Sequence, residues 1–213
     1  MEPSEVAELV MNRVAKYCDN NSGDDTLECL EYHSPEELDQ FVDAYLPDQV
    51  AEELDKAIES SDTFWDEVKK EYEKLWRSWL VTKDAYYLGN EIYLTLYSIT
   101  DNPKLSNTCK VRRLEVYRDV LDKFGDAVLQ ALESKKPLEK KDLYYWLTEL
   151  GDVAFRGGNY DYDNDVGYYL SYYEEFNDNE KLDALDILLN EIDEVMSTAN
   201  EELRDLGVLT NQS

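Results

Sequence analysis

The chain has 213 residues and a formal net charge of −28 at neutral pH, with 49 Asp and Glu against 21 Lys and Arg. Such a charge excludes attraction to nucleic acid or to an anionic membrane surface, because both are themselves negative. Hydrophobic residues make up 43% of the chain and aromatic residues 12%, including 17 Tyr. This content is too apolar for an acidic disordered tail, so a packed core is expected.

The sequence has no membrane or secretion signal that we can identify. No stretch approaches the roughly 18 apolar residues that a membrane helix needs, and the acidic first residues lack the apolar region of a signal peptide. Cys18, Cys29 and Cys109 are odd in number and widely spaced, which favours reduced thiols over a disulfide framework. These features predict a cytoplasmic protein.

The first half of the chain has the apolar periodicity of consecutive helices. Ser4 is the expected N-cap of the first helix, and Ser34, Pro35 and Glu37 form a capping-box pattern that begins another. Thr82 is expected to separate two helices that are rich in aromatic residues. The predicted helices cover residues 4–18, 35–46, 48–60, 64–80 and 82–99, with a loop at 19–33.

The second half is predicted to contain three further helices, at about 107–134, from Pro137 to about 150, and at 179–206. Gly125 is expected to kink or divide the first of them. Asn177 or Asp178 begins the last helix, and Gly207 ends it. The last helix has a heptad pattern, which favours packing inside the chain's own bundle, with a homodimeric coiled coil as the alternative. The heptad positions are Leu182, Leu185, Leu189, Ile192, Met196, Ala199, Leu203 and Leu206.

These elements predict an all-α fold, an irregular multi-helix bundle of about 8–9 helices with a long C-terminal helix. The Gly-containing stretch at 156–159 is the clearest boundary in the sequence. It separates a helical domain at 1–156, with an acidic part at 1–75 and a neutral scaffold at 76–156, from residues 157–213. The second part combines an acidic, Tyr-rich loop with the last helix and is expected to pack on the same core.

The charge is distributed unevenly along the chain. Residues 1–75 hold 22 Asp and Glu against 6 Lys and Arg, a net charge of −16. Residues 76–160 hold 12 against 13, a net charge of +1, and residues 161–213 hold 15 against 2, a net charge of −13. A field of one sign steers association with oppositely charged partners and repels nucleic acid. The two acidic ends are therefore predicted to bind a cation-rich partner.

Acidic side chains recur at helical spacing opposite the predicted apolar stripes. An ordinary solvated face is the alternative. Like charges at i and i+4 destabilise a helix, however, so their presence indicates that the charges serve a function such as binding. Residues i and i+4 lie about 6 Å apart along a helix axis, and each strand of duplex DNA carries one phosphate per about 3.4 Å. The candidate partner-binding residues are Glu36, Glu37, Asp39, Asp43, Glu52, Glu53, Asp55, Glu59, Tyr160, Asp161, Tyr162, Asp163, Asp165, Glu174, Glu175, Asp178, Glu180, Asp183, Asp186, Asp193 and Glu194.

The segment 159–167 alternates Asp with Tyr and suggests two kinds of site. Asp occupies every other position of Asp161–Asp165, as in a calcium loop, but Val166 and Tyr172 stand where such a loop needs Gly and a bidentate Glu. An exposed acidic and aromatic protein interface fits the segment better. Alternatively, about half of the following tyrosines form a helix face against the core, namely those among Tyr168, Tyr169, Tyr172 and Tyr173.

Enzyme signatures are absent from the sequence. It has no phosphate-binding Gly-rich loop, no G-x-S-x-G motif and no Cys/His set with zinc spacing. His33 precedes a predicted helix cap and is expected to be a surface or cap-side residue rather than a catalyst, and it lies far in sequence from Cys109. The basic residues of 110–118 alternate with acidic ones and predict internal ion pairs. We expect a non-enzymatic protein with no cofactor, no bound metal and no catalytic residue.

A strongly acidic, Tyr-rich, all-helical chain of this kind resembles the DNA-mimic inhibitors of phages and mobile elements. In composition and in the charge of its two ends it is similar to the phage "overcome classical restriction" family, although no motif aligns and the neutral middle departs from a uniformly acidic mimic. The resemblance implies an inhibitor that blocks the DNA- or RNA-binding groove of a restriction-modification, CRISPR or related nuclease in the host cytoplasm. An acidic adaptor or immunity protein that binds one basic partner without DNA mimicry is the alternative.

Overall fold

The structure is a computed structural model that describes residues 1–21, 25–155 and 162–208, and these residues are mainly helical. They form nine α-helices and two short 3-10 helices, and they contain no strand. This confirms the predicted all-α fold of 8–9 helices with a long C-terminal helix. Among the described helices, none has the length and apolar content needed to cross a bilayer. The α-helices are α1 Pro3–Asn21, α2 Thr26–Tyr32, α3 Leu38–Phe41, α4 Asp48–Ser60, α5 Phe64–Thr100, α6 Asn107–Ser134, α7 Lys140–Ala154, α8 Tyr162–Glu175 and α9 Asp178–Asp205.

The chain divides into two compact units, Met1–Lys83 and Asp84–Ser213, and α5 runs through the boundary. The boundary predicted from sequence at 156–157 falls among residues that the structure does not describe. The two helices predicted on either side of Thr82 are a single helix. The physical reason is that neither Pro nor Gly occurs between residues 64 and 88, so nothing in that stretch stops a helix.

The first unit has a core built from α1, α2 and the buried face of α5. α1 packs against α2 and against the 3-10 helix Val42–Tyr45. From α5, the hydroxyl of Tyr72 donates to the carbonyl of His33 at 2.6 Å, and Trp76 Nε1 donates to the carbonyl of Leu30 at 2.7 Å. The backbone at the end of α2 is thereby attached to α5.

Two predicted helix starts in the first unit differ from the structure, one in position and one in its cap and in the length of the helix. α1 begins at Pro3, one residue before the expected cap Ser4, and the Glu5 carboxylate accepts from the Glu2 amide at 2.9 Å. The Ser34 side chain makes no cap hydrogen bond, and the helix predicted at 35–46 is instead a 3-10 turn, the single turn α3 and a second 3-10 turn. A helix cannot extend past this segment because Pro47 requires an extended residue before it, and Leu46 is extended at φ −108°, ψ 141°.

The second unit is organised around α6, which packs against α7 and α9, while α7 packs against α8. Tyr117 of α6 is fully buried and its hydroxyl lies 2.9 Å from the carbonyl of Ile92 and 2.9 Å from Thr95 Oγ1. Gly125 does not divide α6, contrary to the prediction. A Cβ at that position would lie 3.5 Å from Ile192 Cγ2, an ordinary van der Waals contact with α9.

The buried face of α9 is rotated from the predicted heptad seam. Leu182, Leu189, Met196 and Leu206 are only half-buried. A straight helix against α6 buries a stripe with a period near 3.6 residues, whereas a supercoiled seam has a period of 3.5. Packing inside the chain therefore accounts for the buried face of α9. The homodimeric coiled coil remains an alternative prediction. The buried residues of α9 are Lys181, Ala184, Leu185, Leu188, Ile192, Val195, Ala199 and Leu203.

α9 begins with a capping box at Asn177, one of the two starts that the sequence predicted. The Asn177 side chain accepts from the Glu180 amide at 2.9 Å, and the Glu180 carboxylate accepts from the Asn177 amide at 3.0 Å. We expect Asn177→Ala to lower the free energy of unfolding by about 1 kcal/mol, because the Glu180 amide loses its acceptor. Urea unfolding followed by circular dichroism measures the change. A loss as large as this from the exposed control Asn190→Ala would contradict the assignment.

Candidate functional site

The predicted carboxylates that the structure describes lie on the surface. Only Glu37 and Glu180 among them are half-buried, and the rest are exposed. The structure does not bring them into one cluster but distributes them over the two units. In the first unit they are Glu36, Glu37, Asp39, Asp43, Glu52, Glu53, Asp55 and Glu59; in the second they are Asp165, Glu174, Glu175, Asp178, Glu180, Asp183, Asp186, Asp193 and Glu194.

The acidic face of α4 is the densest group in the first unit. Leu54 anchors the helix in the core, which leaves the remaining faces of α4 in water. None of its carboxylates forms an ion pair with a described cation. The exposed carboxylates, here called the α4 face, are Asp48, Glu52, Glu53, Asp55 and Glu59. Asp48 was missed from the sequence although it shares the helical spacing of the others.

The acidic ridge of α9 is the corresponding feature of the second unit. It lies opposite the stripe that packs on α6, because both follow from the same helical period. Its exposed carboxylates, here called the α9 ridge, are Asp183, Asp186, Asp193, Glu194, Glu201 and Asp205. Glu201 and Asp205 extend the predicted set toward the C-terminus, where Arg204 is the one basic residue of the last turn.

Two of the predicted carboxylates form ion pairs within the chain, Asp39 and Glu174, and two others, Glu180 and Glu194, accept hydrogen bonds. Asp39 accepts from Trp65 Nε1 at 2.7 Å and pairs with Lys69 at 3.3 Å. Glu174 pairs with Lys140 at 3.1 Å. The neighbouring lysines partly neutralise these carboxylates, so they attract an external cation less strongly than the unpaired carboxylates of α4 do.

Glu194 accepts a hydrogen bond from the Tyr93 hydroxyl at 3.2 Å. Burial, and then this bond to the carboxylate, raise the pKa of Tyr93 to about 12. Beside it, burial and the charge of Glu194 raise the pKa of Glu191 above its usual range. This hydrogen bond therefore attaches the middle of the α9 ridge to α5.

The Tyr-rich segment is described only in part. Tyr160 and Asp161 lie outside the described residues, and Asp161 is also the first position of the calcium loop considered as an alternative. Tyr162 and Asp163 begin α8, with side chains that the structure does not describe. Of the four following tyrosines, Tyr172 and Tyr173 are buried and the other two are not, which agrees with the interpretation that half of them face the core.

Two of the cysteines form a disulfide, which contradicts the expected reduced thiols. Cys18 of α1 and Cys29 of α2 are joined, with their Cα atoms 5.5 Å apart. No local pattern predicts this bond, because the two cysteines meet only through the packing of α1 on α2. Cys109 is a free and exposed thiol.

His33 is half-buried and is the C-cap of α2, which agrees with the expected position beside a helix cap. Its Nδ1 lies 2.7 Å from the Cys29 carbonyl, which can only accept, so Nδ1 carries the proton. In the neutral ring Nε2 then accepts from the Tyr45 hydroxyl at 2.8 Å. Phe41 packs against the ring edge, with centroids 4.9 Å apart. The four-residue spacing of Cys29 and His33 was the available signal for this contact.

The basic residues of α6 do not form the predicted internal ion pairs with described residues. Lys110 donates to the Thr100 carbonyl at 2.8 Å, and Arg113 donates to the Ala154 carbonyl at 3.5 Å. Arg112 and Arg113 instead line an open cavity of about 400 Å³ between α6 and α7, together with Cys109 and Glu149. The guanidiniums are offset there by neighbouring carboxylates, so the cavity has mixed charge.

Asp84 is a buried carboxyl group with no hydrogen-bond partner among the described residues. Burial raises the pKa of Asp84 well above its usual value of 3.8. The folded state therefore holds this proton more tightly than the unfolded state, and the contribution of Asp84 to stability falls as pH rises through the folded pKa. The residue could not be singled out in a sequence with 49 acidic residues.

We expect Asp84→Leu to raise the free energy of unfolding at neutral pH by about 1–3 kcal/mol, because it removes an unsatisfied buried group. Asp84→Asn, which resembles the protonated carboxyl, is the matched control and should abolish the dependence on pH that this residue causes. Guanidinium unfolding at pH 4.5 and pH 8 provides the comparison, with the difference between wild type and Asp84→Asn as the readout. Equal pH slopes in the two proteins would contradict the prediction.

Comparisons with protein-family models, with curated proteins and with solved structures found no match for this chain. The arguments for function therefore come from the geometry. They define a class, an all-α protein that carries exposed carboxylates on two helices in two separate units.

Proposed function

We propose that the chain is a non-enzymatic inhibitor that occupies the nucleic-acid-binding groove of a basic protein, with carboxylates in the place of phosphates. The target class is a restriction-modification complex, a CRISPR effector or a related nuclease. The observation that carries the proposal is the α4 face, where five exposed carboxylates have no ion pair with a described cation. Carboxylates without an ion pair inside the chain are available to the cations of a partner.

The charge spacing supports mimicry of one DNA strand by α4. From Asp48 to Glu59 the five carboxylates span about 17 Å of helix axis, which gives one charge per about 4 Å, and Glu53 lies on a different side of the helix from the other four. One DNA strand carries a phosphate per about 3.4 Å. Lys56 lies within the same exposed stretch and reduces the net density.

The α9 ridge is more widely spaced. Its six carboxylates extend over about 33 Å, one per about 6 Å, which is roughly half the density of one strand. This observation favours the second candidate function at this helix, an acidic adaptor or immunity surface that complements one basic partner without reproducing a phosphate backbone. The two candidates make opposite predictions about competition with DNA.

The experiment is inhibition of purified nucleic-acid enzymes by the purified chain. The panel consists of a type I restriction-modification complex, an RNA-guided nuclease and a DNA helicase. For a mimic we expect loss of DNA binding by one of them, with the half-inhibitory concentration of the chain rising in proportion to the added duplex. Raising salt from about 50 to 500 mM should weaken the complex, though less steeply than it weakens a DNA complex.

Two results would count against mimicry. A stable complex that added duplex does not displace supports the adaptor function instead. Inhibition that does not change with salt would exclude a mechanism based on exposed charge, since screening acts on every exposed ion pair.

A further inference from the structure

Two sulfur atoms and one imidazole nitrogen meet in the first unit, at Cys18, Cys29 and His33, here called the CCH cluster. Their ligand atoms all lie within 4.8 Å of one another. We propose that the reduced CCH cluster binds one borderline-soft divalent metal ion, and that Zn²⁺ fits it best. The inference is independent of the acidic faces, because none of their carboxylates belongs to the cluster.

The donor set is the first argument. Thiolate and imidazole are the usual ligands of zinc, whereas calcium and magnesium take oxygen ligands. Two sulfurs and one nitrogen leave a fourth tetrahedral position for water or another small ligand. The net charge of −16 on residues 1–75 adds a field that attracts a cation.

The distances are the second argument. Cys29 Sγ lies 3.9 Å from His33 Nδ1. A tetrahedral ion with bonds of about 2.3 Å to sulfur and about 2.0–2.1 Å to nitrogen separates these two atoms by about 3.6 Å. Cys29 and His33 are four residues apart at the end of α2, so the helix itself holds this pair near the required spacing.

The disulfide determines when the cluster can bind. While Cys18 and Cys29 share a bond, neither sulfur is a thiolate, and the site is closed. A thiol reductant, RSH, transfers two electrons: the disulfide and two RSH give two cysteine thiols and RSSR. Each cysteine then releases one proton as its thiolate binds the metal. Metal binding is thereby linked to the redox state of the first unit.

The histidine must exchange its hydrogen bonds when the metal binds. In the disulfide form Nδ1–H donates to the Cys29 carbonyl, so a small ring rotation has to turn Nδ1 from that carbonyl toward the sulfur. The proton then resides on Nε2, which can donate to the Tyr45 oxygen at 2.8 Å. Tyr45 is thus a positioning residue, since an outer hydrogen bond orients a ligating imidazole.

The test uses the full chain with Cys109→Ser, which leaves only the two cluster thiols. The reduced and the oxidised protein are each titrated with Co²⁺, whose thiolate complexes have a charge-transfer band in the near ultraviolet, and then with Zn²⁺. We expect one Co²⁺ per reduced chain, displacement by Zn²⁺, and no band in the oxidised protein. The unfolding temperature of the reduced protein should rise with Zn²⁺, because the metal binds the folded state.

Three variants separate the cluster from chance binding. Cys18→Ser should lose the charge-transfer band of a two-thiolate site, and His33→Gln should bind at least tenfold more weakly while keeping both thiols. Tyr45→Phe should weaken binding by roughly 10-fold, as expected for an outer-shell partner. Circular dichroism confirms that each variant keeps its helices, and His33→Gln decides the question if Cys18→Ser does not fold.

Several outcomes would overturn the proposal. One is a reduced, folded protein without the charge-transfer band. Another is equal affinity in wild type, Cys18→Ser and His33→Gln. Binding that appears only together with loss of helical signal would assign the metal to the unfolded chain.

Discussion

Reduction of the Cys18–Cys29 disulfide is expected to lower the free energy of unfolding by about 3 kcal/mol, because the bond closes a short loop and restricts the unfolded chain. The two cysteines are 11 residues apart, and the bond joins α1 to α2 directly. The measurement is guanidinium unfolding of the oxidised and the reduced Cys109→Ser protein, with a metal chelator present in both samples. Fluorescence of Trp76 reports locally, since its indole donates to the Leu30 carbonyl of α2.

Cys109→Ser compared with wild type, both oxidised, is the matched control for this prediction. Cys109 is exposed, so its replacement should change stability by no more than about 0.5 kcal/mol. The double variant Cys18→Ala and Cys29→Ala should reproduce the loss seen on reduction. A difference below about 1 kcal/mol between the oxidised and reduced proteins would show that the packing of α1 on α2 does not depend on the bond.

Neutralisation of the α4 face is expected to weaken the complex with the inhibited enzyme by roughly 30–100-fold. Each exposed ion pair contributes about 0.2–1 kcal/mol, and four such pairs at the middle of that range sum to about 2–3 kcal/mol. The variant is Glu52→Gln, Glu53→Gln, Asp55→Asn and Glu59→Gln. Affinity is measured by calorimetry at low and at high salt, and the wild type and variant should converge at high salt because screening removes the difference.

A variant of α6 provides a control with the same change in net charge. Glu115, Asp119, Asp122 and Asp126 are exposed on one helix in the neutral block of the sequence. Neutralising these four residues should change affinity by less than about threefold, which corresponds to long-range charge alone at moderate salt. Equal losses in the α4 and α6 variants would show that net charge, rather than the α4 face, drives binding.

A third variant tests the α9 ridge in the same assay. It combines Asp183→Asn, Asp186→Asn and Asp193→Asn and leaves Glu194 in place, because Glu194 bonds to Tyr93. The adaptor function would be favoured if this variant loses affinity and the α4 variant does not. The reason is that the ridge does not have the charge spacing of a DNA strand.

Local sequence patterns predicted the helices with strong end signals. The Asn177 cap with Glu180, and Gly207 at φ +84° after α9, agree with the expected start and stop. Where the end signals were weak, tertiary contacts and the positions of helix-breaking residues decided where each helix begins and ends. Thr82 did not end a helix because it has no helix-breaking neighbour, and Ser34 did not begin a long one because Pro47 follows too soon.

The surface carboxylates were also predictable, because a helix with one apolar stripe must expose its remaining faces. Residues of the α4 face and the α9 ridge were found on this basis, with Asp48, Glu201 and Asp205 as the missed members. The CCH cluster and Asp84 were not predictable. The four-residue spacing of Cys29 and His33 was the one local signal, whereas the position of Cys18 and the burial of Asp84 depend on which faces of different elements meet in the fold.

The sequence by itself determined the all-α class, the large negative charge and the exposure of acidic helix faces. These follow from composition and from the 3.6-residue period, which are local properties of the chain. Only the tertiary structure decided that Cys18 meets Cys29 beside His33, that Asp84 is buried without a partner, and that α9 turns its stripe toward α6. The physical reason is that contacts between elements far apart in sequence depend on packing, which local periodicity does not specify.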